Sequence, residues 1–409
     1  MDARMQRGLQ IVESGSRITE GVQAWFVRSQ TPQNFRRYRV NPFADTCSCP
    51  DHQELNIRCK HLWAVLITME QETPHGPVEQ TTRITYSQEW SSYNAAAVSE
   101  KDDFMRLLGD LCRGVEEPEQ KRGRPRLPLS DMAFATAYKV FSRFSSRRFS
   151  TDLRGAEESG LISKAPHFNS VSNYMSSERL TPVLKDLIST ASLPLRAVES
   201  DFAVDSSGFS TSRFARWFER KHGAERVEVT RREWIKAHLM VGVQSNIVTA
   251  AEVSKWQDAD SAHFPDLLTA TAGNFEMREV SADKAYLGKR NVALVEQAGA
   301  TPFIPFRSNI RPVSNPTDSA WDRMYHQFAL NRDEWLAHYH KRSNVETTFA
   351  MIKAKFGDAV LSKSEVGMMN EVLAKVLCHN IVVVGQAIRE FGIDPGFCAG
   401  PAAAQNLTA

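Results

Sequence analysis

Cysteine is scarce in this chain, with six in 409 residues, and three of the six fall between positions 47 and 59. That count excludes the disulfide framework of a small secreted domain, and Cys112, Cys378 and Cys398, unmatched by spacing, are expected to be reduced thiols. Charge of one sign is also missing: 50 basic residues against 48 acidic ones leave a net charge of +2. Affinity for a polyanion must then come from local patches and not from a bulk positive field. No uninterrupted apolar run approaches the ~20 residues of a membrane span, and the N-terminus lacks a charged and apolar leader. No membrane association is expected, and the expected location is the cytoplasm. What is present is a hydrophobic content of 42%, enough to bury a proper core and to divide into about three domains.

The clustered cysteines carry the first motif. The segment CSCPDHQELNIRCKHLWAVL sets Cys47, Cys49, Cys59 and His61 in a C-x-C-x9-C-x-H arrangement. Three thiolates and one imidazole match a closed tetrahedral zinc site. His52, inside the intervening loop, is an alternative ligand, though that placement suits a solvated turn residue better. Preceding strands rich in Trp25, Phe26, Val27, Tyr38 and Val40 complete a domain too short to fold without its metal. The four ligands, the proline after the second cysteine and the apolar helix after the histidine resemble the SWIM-type zinc finger, which implies one structural Zn²⁺.

Composition then shifts twice. Residues 95–120 are rich in Ala and Glu and end in Glu116-Glu117-Pro118-Glu119, reading as a short helix and an acidic linker. The chain turns basic at Lys121-Arg122-Gly123-Arg124-Pro125-Arg126. An extended Arg-Gly-Arg can lie along the narrow minor groove of A·T-rich DNA through Arg122 and Arg124, and the segment resembles an AT-hook core. A flexible cationic linker that touches phosphates is the equal alternative. Onward, Lys139, Arg143, Arg147, Arg148 and Arg154 alternate with Phe134, Tyr138, Phe141 and Phe144 at helical spacing, a basic face on a packed helix. With helices at Asn169–Tyr174 and Thr181–Ser189, this predicts a small all-α domain that docks on DNA.

The most specific signal is HYHKRSNVETTFAMIKAKFGD, in which Tyr339, Arg342, Glu346 and Lys353 lie on one stripe of an expected single helix. Val345, Phe349, Ile352 and Phe356 supply its apolar flank. A carboxylate flanked by cations can hold a divalent metal while Arg and Lys engage phosphates; an amphipathic surface helix with an ordinary Arg–Glu pair fits the charges as well. Upstream, AVDSSGFS places Asp205 after an apolar run, and REVSADKAYLGKRN does the same for Asp283. Asp201, Asp258, Asp260 and Asp266 read as turn, cap or surface residues.

The pattern Y-x2-R-x3-E-x6-K is similar to the signature helix of bacterial insertion-sequence transposases of the DDE class, and the settings of Asp205 and Asp283 resemble their two upstream motifs. The resemblance covers roughly residues 130–390. It implies a catalytic triad of Asp205, Asp283 and Glu346 holding two Mg²⁺ (or Mn²⁺) ions about 4 Å apart, with Asp205 bridging. It also implies phosphate contacts by Arg342 and Lys353 with Tyr339 beside them. The partners would be double-stranded DNA, both the inverted-repeat ends and the target, bound by a homodimer or higher assembly at the nucleoid. The alternative is a transposase-derived DNA-binding regulator without catalysis.

The expected fold class is α/β: a ribonuclease-H-like catalytic domain with an all-α DNA-binding domain and a small zinc-finger domain. Its strands fall at Ala197–Ser207, in a hairpin of His238–Val243 and Ile247–Val253, in a strand ending at Asp283, and at Thr301–Phe306. Helices are expected at Ser261–Thr271, at Lys289–Ala298 closed by Gly299, and at Asn370–Ile388 with Cys378 and His379 in the core, with Arg307–Asp333 a connecting loop. The expected domains are 1–94 zinc finger, 95–128 linker, 129–195 helical, 196–392 catalytic and 393–409 a disordered tail.

Overall fold

The computed structural model describes residues 3–13, 18–21, 24–31, 36–42, 44–55, 57–72, 84, 86, 89–120, 123, 125–211, 234–307, 310 and 319–397. Arg122 and Arg124 of the basic segment and the tail from Cys398 lie outside the described residues. The chain forms two compact units, Met1–Thr81 with Pro305–His338, and Thr82–Ile304 with Tyr339–Ala409.

In the first unit α1 (Ala3–Glu13) precedes a four-stranded antiparallel sheet of β1 (Ile18–Gly21), β2 (Ala24–Arg28), β3 (Arg37–Asn41) and β4 (Thr46–Cys47). α2 (Pro50–Leu55) and α3 (Lys60–Glu72) follow. Trp25, Val27 and Val40 bury one face of the sheet against Leu62, Ala64 and Val65 of α3 and Ile11 of α1. Gly8 permits that packing, because a Cβ there would stand 2.7 Å from the Trp63 Cβ.

The second unit opens with six helices: α4 (Trp90–Val98), α5 (Glu100–Arg113), α6 (Leu129–Ser142), α7 (Ser146–Glu158), α8 (Phe168–Met175) and α9 (Leu180–Ser192). The short helix expected after residue 95 is the end of α4 and the whole of α5. Phe104, Leu107, Leu108 and Leu111 form a buried stripe at helical spacing, while Glu100, Asp102 and Asp103 sit in the first turn of α5, where acids suit the helix dipole. The expected continuous basic helix is likewise two helices, broken at Arg143 in the left-handed conformation (φ 56°), whose Nη1 donates to the Lys355 carbonyl at 3.0 Å. Residues 129–195, expected as a domain of their own, share one hydrophobic core with the sheet that follows.

That sheet has five strands, β5 (Asp201–Ser210), β6 (Trp234–Gly242), β7 (Val248–Lys255), β8 (Glu279–Ala282) and β9 (Thr301–Phe303), in the order β7-β6-β5-β8-β9. β5, β6 and β7 are antiparallel, whereas β5, β8 and β9 run parallel. The hairpin turn stands on Glu199, whose carboxylate accepts from Gln244 N (3.2 Å), Ser245 N (2.5 Å) and Ser245 Oγ (2.6 Å). A Cβ at Gly242 would meet the Glu199 Cδ at 2.4 Å, so only glycine admits the buried acid. α10 (Phe264–Ala272) and α11 (Lys289–Gln297) connect the later strands, α11 closing at Gly299 with φ 82°.

The connection after β9 is helical where a loop was expected: α12 (Ala320–Leu330) and α13 (Arg332–Tyr339). Ser319 caps α12, its Oγ accepting from Asp322 N at 3.2 Å. Trp321, Met324, Tyr325 and Phe328 repeat at helical spacing, and Phe306 meets Trp321 and Tyr325 edge-on at 5.0 Å. α14 (Ser343–Phe356) and α15 (Glu365–Phe391) complete the second unit. α15 is long and apolar enough to cross a membrane by length and composition alone, but its apolar window is 89% buried in the core.

Cys378 and His379 on α15 are core residues, as expected. The His379 Nε2 donates to the Asn246 carbonyl at 2.9 Å, and burial lowers its pKa to about 4. His238, buried on β6 against Ser254 Oγ at 2.9 Å, is lowered to about 4 for the same reason. A histidine depressed from about 6.5 leaves the unfolded chain binding more protons, so stability is intact above pH 6.5 and is lost as pH falls toward 4. Urea unfolding at pH 4.5 should therefore show about 2–3 kcal/mol less stability per histidine than at pH 7. His379→Gln should flatten the profile; an unchanged slope would contradict this assignment.

Candidate catalytic carboxylates and zinc cluster

The sheet register builds the carboxylate site. Phe202, Ala203 and Val204 bury β5 in the core, and the strand becomes partly exposed at Asp205. Val204 pairs with Ala282 in the parallel β5–β8 ladder, so Asp283, the next residue after β8, lies beside Asp205. Adjacent strand ends are where open α/β sheets present ligands. Asp205 Oδ1 accepts from Ser206 N at 2.8 Å, and Asp283 Oδ1 accepts from Lys284 N at 2.7 Å.

Glu346 comes from the first turn of α14 and is tied to Asp205 through an arginine. Arg342 Nη1 donates to Asp205 Oδ2 at 2.5 Å and Nη2 donates to Glu346 Oε1 at 2.5 Å. Burial pushes the Asp205 pKa up to about 6, helped by the charges of Asp283 and Glu346 and opposed by Arg342 and the Ser206 N–H. Burial works against the Arg342 charge, yet Asp205, Tyr339, Glu346 and Asp283 outweigh it and raise its pKa. Tyr339 lies buried with its ring 5.9 Å from the guanidinium.

The four signature residues do not share one helix. Tyr339 ends α13, Arg342 belongs to the 3₁₀ turn His340–Arg342, and only Glu346 and Lys353 are on α14. They nevertheless converge on β5, since Lys353 Nζ donates to Ser207 Oγ at 2.6 Å and lies 5.2 Å from the Phe209 ring. Burial lowers the Lys353 pKa.

Asp201, expected as a turn or surface residue, is instead buried and bonded to Arg278 Nε (2.8 Å) and Nη2 (2.7 Å) and to Lys341 Nζ (2.7 Å). Lys341 also reaches Glu279 at 2.7 Å. Asp201 and Glu279 are neighbours in the parallel ladder, and two adjacent buried acids need a cation between them. Lys341, beside the signature arginine, is the residue that sequence reasoning passed over. Asp260 opens the 3₁₀ turn Asp260–Ala262, in keeping with a turn residue, and pairs with Lys236 at 2.7 Å.

The second cluster lies in the first unit. Cys47, Cys49, Cys59 and His61 are all buried, with ligand atoms within 4.8 Å of one another. The Cys59 Sγ to His61 Nδ1 separation is 3.9 Å, close to the about 3.6 Å that tetrahedral Zn–S and Zn–N bonds imply. The pairing of Cys47 with Val40 sets the first thiol at the sheet edge, and Lys60–Glu72 begins directly after the third. Hydrogen bonds from the Cys47 and Cys59 thiols favour the Cys49 thiolate and draw its pKa down. The donor set therefore fits Zn²⁺. His52, on α2, stands outside this cluster, and its Nδ1 bonds the Ile57 carbonyl at 2.8 Å.

A cavity of about 630 Å³ lies among α6, α8 and the turn after α14, bordered by Lys139, Arg143, Lys363 and Lys375. Lys139 donates to the Phe144 carbonyl, and Lys375 donates to the carbonyls of Gly357 (3.0 Å) and Ala359 (2.7 Å).

Residues 196–381 match the family described as the transposase DDE domain, and residues 38–70 match the SWIM zinc finger. No solved structure matches the chain. Asp205 and Asp283, at neighbouring strand ends, both fall within the region that matches the transposase domain. Residues 196–381 thus carry a transposase DDE domain, with a SWIM zinc finger ahead of it.

Elemental analysis should find one zinc per chain. Cys59→Ala should lose it and His52→Ala should keep it; unchanged zinc in Cys59→Ala would refute the ligand set.

Proposed function

We propose that this protein cuts DNA at the ends of its element and joins the 3′ hydroxyls to target DNA, with Asp205, Asp283 and Glu346 as the catalytic carboxylates. The observation that carries the reading is the bond pair linking Asp205 and Glu346 through Arg342 while Asp283 lies beside Asp205 in the ladder. A mixed sheet with three antiparallel and two parallel strands supports a ribonuclease-H-like catalytic domain.

An all-oxygen set of three carboxylates suits Mg²⁺ or Mn²⁺. Two such ions would stabilise the attacking and leaving oxygens of an in-line displacement at phosphorus. Asp205 is assigned the bridging position, and Asp283 and Glu346 one ion each. Lys353 is assigned to phosphates near the scissile bond, with Tyr339 packing beside Arg342. Lys139, Arg143 and Lys375 at the cavity donate to carbonyls, and with Lys363 they outnumber the acids there, Asp358 and Glu371, which leaves local positive potential for flanking DNA backbone. Arg122 and Arg124 are assigned to the minor groove, and the complex on paired ends to a dimer or larger assembly.

Cleavage and strand transfer with Mg²⁺ on DNA carrying the element's own ends test this directly. Asp205→Asn and Glu346→Gln should each abolish both products while DNA binding persists. Robust nicking without joined products would reduce the activity to that of a nuclease. Specific binding without any wild-type product would favour a DNA-binding regulator. Lys363→Ala should lower the slope of log affinity against log salt by about one, the signature of one lost phosphate contact; an unchanged slope would remove the cavity from the DNA path.

A further inference from the structure

The guanidinium of Arg342 holds the position that a bound cation would take between two of the three carboxylates. Its two Nη atoms engage Asp205 Oδ2 and Glu346 Oε1 simultaneously, each at 2.5 Å. Both carboxylates belong to the proposed metal site. An oxygen accepting a charge-assisted hydrogen bond from a side chain only 10% exposed is not open to a metal in that arrangement.

We propose that Arg342 is a latch: it keeps the catalytic carboxylates assembled by standing in for the metal charge, and it must swing off Asp205 and Glu346 before divalent cations bind. The inference rests on the metal-dependent reading above. Three features favour it. Asp205, Asp283 and Glu346 repel one another, so without a counter-charge the acids would spread. Arg342 sits in a 3₁₀ turn between two helices, where the side chain can move without unwinding either. Lys341, the residue before it, holds Asp201 and Glu279 at 2.7 Å each, so the turn stays fastened to the sheet while Arg342 leaves. The displaced guanidinium carries its charge toward the DNA phosphates that accompany the metals. Arg342 in this account is a positioning residue that couples metal entry to substrate.

The test is Mn²⁺ binding to the full chain without DNA, followed by electron paramagnetic resonance. Arg342→Ala should bind Mn²⁺ roughly tenfold or more tightly than the wild type, since a bidentate charge-assisted contact no longer competes. Arg342→Lys, which cannot span both carboxylates, should fall between them. A merely structural arginine predicts the opposite, a loosened site and weaker binding. Equal or weaker binding by a folded Arg342→Ala overturns the latch alone. No Mn²⁺ binding to either protein overturns the metal-dependent reading itself. Should Arg342→Ala fail to fold, nitrogen-15 arginine side-chain spectra of the wild type decide: Mg²⁺ should abolish the slow-exchanging Arg342 Nη signals, and their persistence at saturating Mg²⁺ would overturn the proposal.

Discussion

Acids cannot be gathered at the ends of two buried strands without cations to hold them, and that electrostatic constraint shapes the second unit. β5 and β8 place acids side by side twice, Asp201 against Glu279 at one end and Asp205 beside Asp283 at the other. Consecutive residues of one 3₁₀ turn answer both, Lys341 at the first pair and Arg342 at the second. The turn is thereby pinned along the strands, and the helix that follows brings Glu346 and Lys353 to the same edge. Buried ion pairs of this kind repay their desolvation only when each charge is fully bonded. Asp201, which accepts twice from Arg278 and once from Lys341, and Lys341, which donates to both Asp201 and Glu279, come nearest to that condition.

The zinc-type donor cluster and the proposed carboxylate site are built in different ways. The four sulfur and nitrogen donors stand within 4.8 Å of one another in a small core, an arrangement in which metal affinity is also folding energy. The carboxylates are carried by two strands and a helix of a large core that does not depend on them, with an arginine between two of them. Loss of zinc should then cost structure, whereas loss of the carboxylate cations should cost only chemistry.

Much of the site could be read from the chain because its residues sit in short, locally determined settings. Asp205 and Asp283 each follow an apolar strand and precede a turn, and the C-x-C-x9-C-x-H spacing needs no tertiary information. The hairpin of β6 and β7 was legible from two apolar runs around Gln244-Ser245-Asn246. The polar residues of 320–339 hide a helical period that only the positions of Trp321, Tyr325 and Phe328 reveal, whereas the short helix expected after residue 95 is present and its full length rests on Phe104, Leu107 and Leu111. The break at Arg143 and the 3₁₀ turn at 340–342 carry no periodic signature at all. The partners of Lys341 lie 140 and 62 residues away, beyond the reach of local pattern.

The most direct test of the central claim replaces Mg²⁺ with Fe²⁺ and lets ascorbate-driven hydroxyl radicals cut the polypeptide beside the bound ion. The account predicts backbone cuts clustered around Asp205, Asp283 and Glu346, read by mass spectrometry and suppressed by excess Mg²⁺. Cuts confined to other segments, with these three left intact, would contradict it.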